Sequence, residues 1–107
     1  MKKEDLGQLV ATQAVADLQK DNKDFSKFLN SCVVRYLNED WGDLDAEDKE
    51  ANTNAVESGD DRILASYEFP LDVSWKALNS WGEQENKIWI ITEWDRSVTT
   101  ILFPGEY

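Results

Sequence analysis

Carboxylates are the side chains of this sequence most able to bind a partner or to do chemistry. Ten acids fall between residues 39 and 61, with Lys49 as the only base, which makes a belt of net charge −9: Glu39, Asp40, Asp43, Asp45, Glu47, Asp48, Glu50, Glu57, Asp60 and Asp61. An exposed acidic belt can imitate the phosphates of a nucleic acid. The candidate binding residues in it are Glu47, Glu50, Glu57, Asp60 and Asp61. A solvated helix with good capping residues explains the same pattern more simply.

Metal binding is a second use for closely spaced acids. Asp43, Asp45, Asp48 and Glu50 are oxygen ligands, but they lack the Gly at position six and the Glu at position twelve of the calcium loop. The chain contains no His, so the commonest metal ligand and the commonest general base are both missing. We therefore predict neither a metal site nor a cofactor.

The segment from Glu93 to Ser97 is polar and separates two apolar runs. A carboxylate that acts as a general acid needs a buried setting to raise its pKa, whereas a turn is normally hydrated. We therefore expect an Asp95–Arg96 or Glu93–Arg96 ion pair that stabilises the turn, and we predict no catalytic residue and no enzyme.

Five tryptophans offer a different kind of site. Trp75, Trp81 and Trp94 lie on predicted connections, where large aromatic side chains often contact a partner protein. We predict that residues 71–86 present Trp75 and Trp81 at the surface. Packing of these rings within the domain is the alternative.

Composition limits the fold and the partners. A chain of 107 residues with 41% hydrophobic residues is expected to form one domain, residues 1–107. A net charge of −11 argues against direct binding to nucleic acid or to an anionic membrane. The single Cys32 and the lack of an apolar leading segment indicate a cytoplasmic protein.

Three helices are predicted in the first part of the chain. Thr12 begins a short helix that ends near Lys20. The second helix has a full apolar stripe with the period of a helix, in which Cys32 is expected to be a core thiol: Phe25, Phe28, Leu29, Cys32, Val33, Tyr36 and Leu37. A third helix runs from Ala46 to about Glu57, capped by Asp45 and ended by Gly59.

Strands follow the helices. Residues 62–69 alternate in polarity, and residues 88–93 and 98–103 form two β-branched runs joined by the polar turn. The first strand should pair with the second, and 71–86 has the spacing of a helical turn more than of a strand. Residues 6–12 form either a brief edge strand or a lead-in. The predicted fold is α+β, with three N-terminal helices on one face of a small antiparallel three-stranded β-meander.

Several segments resemble a small family of bacterial "plasmid-related" proteins encoded on plasmids, phages and other mobile elements. They are GQLVAT (7–12), WGDLDAEDKEAN (41–52), RILASY (62–67) and KIWIITEWDRSVTTILFPGEY (87–107), which together span most of the chain. The resemblance implies a mobile-element protein without implying an activity. The chain departs from the family pattern at 71–86, where a tight Asp-Gly turn is expected.

These observations predict a non-enzymatic protein that acts by binding another protein or a second copy of itself. One alternative is a nucleic-acid mimic that inhibits a host defence nuclease. The other is a relative of toxin ribonucleases, because helices followed by a β-meander are typical of those proteins. Such a ribonuclease needs basic residues over the sheet, and this sheet offers only Arg62, Lys87 and Arg96.

Overall fold

The computed structural model describes residues 1–107 as three helices and one sheet. Two 3₁₀ turns, Lys3–Leu6 and Pro104–Glu106, flank the regular elements. In chain order the helices and strands are β1 (Gln8–Ala11), α1 (Gln13–Asp21), α2 (Lys23–Leu37), α3 (Ala46–Ser58), β2 (Ile63–Glu68), β3 (Lys87–Thr92) and β4 (Val98–Leu102).

The apolar stripe of α2 forms the centre of the core. Phe25, Leu29, Cys32 and Tyr36 recur at helical spacing and are all buried. The helix begins where the Asn22 side chain accepts a hydrogen bond from the Phe25 N–H, at 2.9 Å. The prediction of this helix, and of Cys32 as a core thiol, is confirmed.

The sheet has four strands in the order β1-β4-β3-β2. β2, β3 and β4 form the predicted antiparallel meander, and β1 adds to β4 in the parallel direction. The α+β class is confirmed, but the purely antiparallel three-stranded sheet is wrong. A four-residue strand whose partner lies 90 positions further along the chain, Gln8 with Val98, leaves little local signal in the sequence.

The helices are not all on one face of the sheet. α2 lies on the face that carries Ile63, Ile90 and Thr92, and α1 packs against α2 and β4. α3 lies along the outer edge of β2, where the Asn52 side chain bonds to both backbone groups of Leu64. The expectation that all three helices cover one face is therefore wrong for α3.

The outer edge of β2 is closed along its length by this contact and by residues 41–43. The Ser66 N–H donates to the Trp41 carbonyl, and the Asp43 N–H donates to the Ser66 carbonyl. Gly42 sits between them with a φ of 77°, where a Cβ would collide with the Ser66 carbonyl. An amide side chain and a short backbone segment thus take the place of a fifth strand.

A chain of buried hydroxyl groups ties the helix layer to the sheet. The Tyr36 hydroxyl lies 2.7 Å from Thr92 Oγ1, which lies 2.7 Å from Thr99 Oγ1. The Thr99 hydroxyl donates to the Leu6 carbonyl at 2.7 Å. Because each hydroxyl has a single proton, Thr92 must donate to Thr99, and Tyr36 must donate to Thr92. The proton order therefore runs from α2 through β3 and β4 to the first 3₁₀ turn.

Candidate protein-binding surfaces

The three tryptophans predicted to bind a partner lie in three different environments. Trp75 is only 6% exposed, and its ring packs at 5.3 Å from Phe25 and 5.3 Å from Phe69, between ring centroids. Its Nε1 has no hydrogen-bond partner. The prediction that Trp75 is presented at the surface is therefore wrong, because an aromatic cluster on α2 and after β2 draws the ring inward.

Trp81 is the most exposed large apolar side chain of the protein, at 87%. It lies in a turn that one side chain holds in place: Asn79 Oδ1 accepts from the N–H groups of Trp81 at 2.9 Å and Glu83 at 3.0 Å. The Gly82 N–H donates to the Asn79 carbonyl, and Gly82 has a φ of 81°. The exposed ring is therefore presented by an ordered turn.

This turn is the end of a small hairpin and not the predicted helical turn. The Asn79 N–H donates to Glu83, and the Glu85 N–H donates to Ala77, which brackets a bridge between Leu78 and Gln84. Leu78 is 64% exposed on the same hairpin. We call Leu78 and Trp81 the apolar tip.

A shallow apolar depression adjoins the apolar tip. Its volume is about 200 Å³, and Leu78 forms part of its wall. The other lining residues come from α1, from the connection before the hairpin and from the segment after β4: Ala14, Leu18, Lys76, Ala77 and Phe103. Leu78 therefore belongs both to the apolar tip and to the wall of the depression, which Lys76 also lines.

Trp94 lies at the other end of β3 and is 62% exposed. The six residues of β3 span about 17 Å, so Trp81 and Trp94 cannot contact one small epitope together. Beside Trp94, the Arg96 guanidinium donates to four backbone carbonyls, those of Ala55, Asp61, Glu93 and Trp94.

These bonds replace the predicted ion pair in the turn. Arg96 has a φ of 61°, and its guanidinium reaches the C-terminal end of α3, where a cation opposes the helix dipole. Asp95 instead accepts hydrogen bonds from the Ser97 N–H and hydroxyl, and these lower the pKa of Asp95. The expected Asp95–Arg96 or Glu93–Arg96 pair is therefore wrong, because the guanidinium bonds to backbone carbonyl groups and to neither carboxylate.

The acidic belt divides into structural and free carboxylates. Asp45 caps α3 by accepting from the Asp48 N–H, Asp43 accepts from the Glu68 N–H, and Asp40 pairs with Arg35 at 2.7 Å. The Arg35 hydrogen bond lowers the pKa of Asp40. All ten acids are exposed.

The predicted binding acids lie on the outward side of this belt. Glu50 and Glu57 are on the face of α3 opposite the buried Asn52 and Ala55, and Glu47 is exposed on the flank of the same helix. The Asp60 and Asp61 side chains follow Gly59 in the exposed link to β2. No three or more carboxylates or thiols gather closely enough to hold a metal ion.

The groups whose pKa is raised by burial lie in the core and not at these surfaces. Burial raises the pKa of the Cys32 thiol to about 12 and also raises the pKa of Tyr36 and Tyr67. Arg35 lies over the Tyr67 ring at 4.9 Å, and the Tyr67 hydroxyl donates to the Asp40 carbonyl. These groups link α2 to the sheet.

Comparisons with protein-family models, curated proteins and solved structures gave no match. None of the helices combines the length and the apolar character needed to cross a bilayer. Sequence reasoning found Trp81 and the free acids, but it missed Leu78 and the depression. The signal available for the hairpin was Asn79 followed by Gly82, a residue pair typical of turns.

Proposed function

We propose that this protein is a non-catalytic binding protein whose apolar tip docks on another protein. The observation that supports the proposal best is the 87% exposure of Trp81 on a turn fixed by Asn79. Buried tryptophans dominate binding energy at many interfaces. Because the backbone of this turn is already ordered, binding through Trp81 costs less conformational entropy than binding through a side chain on a flexible loop.

The depression beside the apolar tip supports a partner that inserts a side chain of its own. A cavity of about 200 Å³ with mostly apolar walls suits one Leu, Met or Phe side chain. Trp81 would then cover the partner while the depression receives its side chain, an exchange of anchors that is common at interfaces.

Charge supports a basic partner. The free acids of the belt give the molecule a one-sided negative field, which speeds association with a positive surface and repels nucleic acid and anionic lipid. We also propose that the protein acts in the cytoplasm of a bacterium carrying a mobile element, a proposal supported by the resemblance of its segments and by the unpaired Cys32.

Capture experiments with two single variants test the proposal. Immobilised wild-type protein, Trp81→Ser and Trp94→Ser would be exposed to host lysate, with Trp94→Ser as the matched control because that ring is also exposed. We expect Trp81→Ser alone to lose the specifically bound protein. If both variants retain the same bound protein, the apolar tip is not the docking surface.

Nucleic-acid mimicry is a second candidate, supported by the exposure of all ten belt acids beside the single Lys49. Changing Glu47, Glu50 and Glu57 to Gln should weaken binding to a defence nuclease without unfolding the domain. Asp45 must stay unchanged, because loss of a cap costs about 1 kcal/mol. Binding that neither DNA nor salt reduces would exclude mimicry.

The basic residues of the sheet give little support to the third candidate function, a toxin-like ribonuclease. The Arg62 guanidinium lies over the Tyr107 ring at 5.6 Å, and the Arg96 guanidinium bonds to carbonyl groups. Both cations therefore already have partners within the domain.

A further inference from the structure

The two edges of the sheet differ in one respect that points to a binding site. The β2 edge is covered by residues 41–43 and by Asn52, whereas β1 has β4 as its only partner strand. The Gln8 N–H donates to the Ser97 carbonyl and the Thr12 N–H donates to the Ile101 carbonyl, so residues 8, 10 and 12 face β4. The N–H and C=O groups of Leu9 and Ala11 therefore point away from the sheet.

Nothing in the side chains of β1 protects this edge. Natural edge strands are usually shielded by Lys, Pro or a bulge, and Gln8–Ala11 contains none of these. Leu9 is 46% exposed. The edge thus offers two donors and two acceptors in an extended strand beside an exposed apolar side chain.

We propose that this edge binds β1 of a second copy in the antiparallel direction, giving one continuous eight-stranded sheet. The register follows from the outward groups: Leu9 of each copy must oppose Ala11 of the other, with Val10 opposite Val10 at the two-fold axis. Each Leu9–Ala11 pair exchanges two hydrogen bonds. All four outward groups of each copy are then paired, through four hydrogen bonds in total.

The side chains fit the same register. Leu9 is large and Ala11 is small, so each exposed Leu9 would pack over an Ala11 across the axis. On the opposite face, the registers of the three strand pairs align Val10 with a row that continues across the sheet through Thr100, Ile91 and Leu64. Pairing Val10 with Val10 joins two such rows, as expected for an isologous interface.

Charge does not oppose this arrangement, although each copy carries −11. α3 and its acids lie at the β2 edge, the far side of the sheet from β1. Seven strand spacings of about 4.8 Å would separate the two β2 strands by roughly 34 Å. Exposed charges are screened over roughly 8–10 Å at physiological ionic strength, so the two belts would scarcely repel each other.

Sedimentation equilibrium of wild-type protein and Ala11→Pro tests the proposal. Proline removes the outward N–H and no bond to β4, and it is tolerated on a free edge. A four-residue edge buries little area, so we expect a weak, concentration-dependent dimer. Ala11→Pro should weaken it by about tenfold or more, since two of its four donors are lost. Ala11→Ser, which keeps the N–H, is the matched control and should dimerise.

Two further measurements separate this interface from other modes of association. In an isotopically mixed sample, the Val10 α protons of the two copies should show an intermolecular nuclear Overhauser effect, because the non-hydrogen-bonded pair brings them together. Leu9→Lys changes a half-exposed side chain and should also weaken the dimer. A protein that stays monomeric up to about 1 mM overturns the proposal. A dimer that survives Ala11→Pro but is lost in Trp81→Ser overturns it as well, and assigns self-association to the apolar tip.

Discussion

In the hydroxyl chain from Tyr36 to Leu6, we predict which of two substitutions lowers the free energy of unfolding more. We compare Tyr36→Phe with Thr99→Val, because both replacements keep the shape of the side chain and remove one hydroxyl group. Thr92 is 0% exposed and Tyr36 is 1% exposed, so water cannot easily replace a lost partner. The two variants interrupt the same chain at its donor end and near its acceptor end.

The magnitudes follow from which groups lose their partners. Without the Thr99 hydroxyl, the Leu6 carbonyl loses its donor and either Tyr36 or Thr92 keeps an O–H without an acceptor. Each orphaned buried group costs about 1–3 kcal/mol, so the two groups together give about 2–6 kcal/mol for Thr99→Val. In Tyr36→Phe, Thr92 still donates to Thr99 and loses only an incoming bond, so we expect about 1 kcal/mol.

Urea denaturation followed by tryptophan fluorescence measures both losses. The slope of the free energy of unfolding against urea concentration should stay unchanged. In thermal melting, 1 kcal/mol corresponds to roughly 4–8 °C for a domain near this size. A loss in Tyr36→Phe equal to or above that in Thr99→Val would refute the assigned proton order and the Thr99 bond to the Leu6 carbonyl on which it depends. Losses near zero in both variants would show that water replaces the missing hydroxyl group in the hydroxyl chain.

Three further predictions concern the core and the edge of β2. Burial raises the pKa of Cys32 from 9.0 to about 12, so the thiol of the unfolded chain ionises at a lower pH than the thiol of the folded protein. The stability present below pH 9 is therefore lost as the pH rises toward 12. Between about pH 8 and about pH 11, the urea midpoint of Cys32→Ala should fall less steeply than that of the wild-type protein. Asn52→Ala leaves the Leu64 N–H and C=O without their partner and should cost about 2 kcal/mol in the same assay, whereas an unchanged midpoint would mean that water closes this edge equally well. Trp75→Ala should cost about 3–5 kcal/mol as a buried aromatic truncation, and Trp81→Ser should stay within about 0.5 kcal/mol; similar melting temperatures for the two variants would contradict the assigned burial.

The helices could be predicted from sequence because their signals are local. The stripe on α2 and the caps at Asp45 and Gly59 act within one or two helical turns, and the structure confirms them. The three strands of the meander alternate strongly enough to be recognised, and β2 pairs with β3 as expected. In each case the residues that determine the element lie inside it or directly beside it.

The remainder depends on contacts between distant residues. Within residues 71–86, Trp75 and Trp81 are the same residue type in the same connection, so the sequence does not distinguish them. The Trp75 ring packs against Phe25 and Phe69, whereas the Trp81 ring is exposed to solvent. Periodicity cannot distinguish them, because their burial is decided by where α2 crosses the sheet. The role of Arg96 escaped prediction for a similar reason, since its acceptors are carbonyl groups and any residue provides one.

The parallel pairing of β1 with β4 has a consequence for the order of folding. Leu9 and Thr99 are neighbours in the sheet but 90 positions apart in the chain, so closing this contact requires a very long loop. Contacts of such high sequence separation form slowly. During synthesis on the ribosome, β1 would emerge long before its partner, while α1 and α2 can already pack together. The last step of folding should therefore be the pairing of β1 with β4, after the short turn at 93–97 has already brought β4 beside β3.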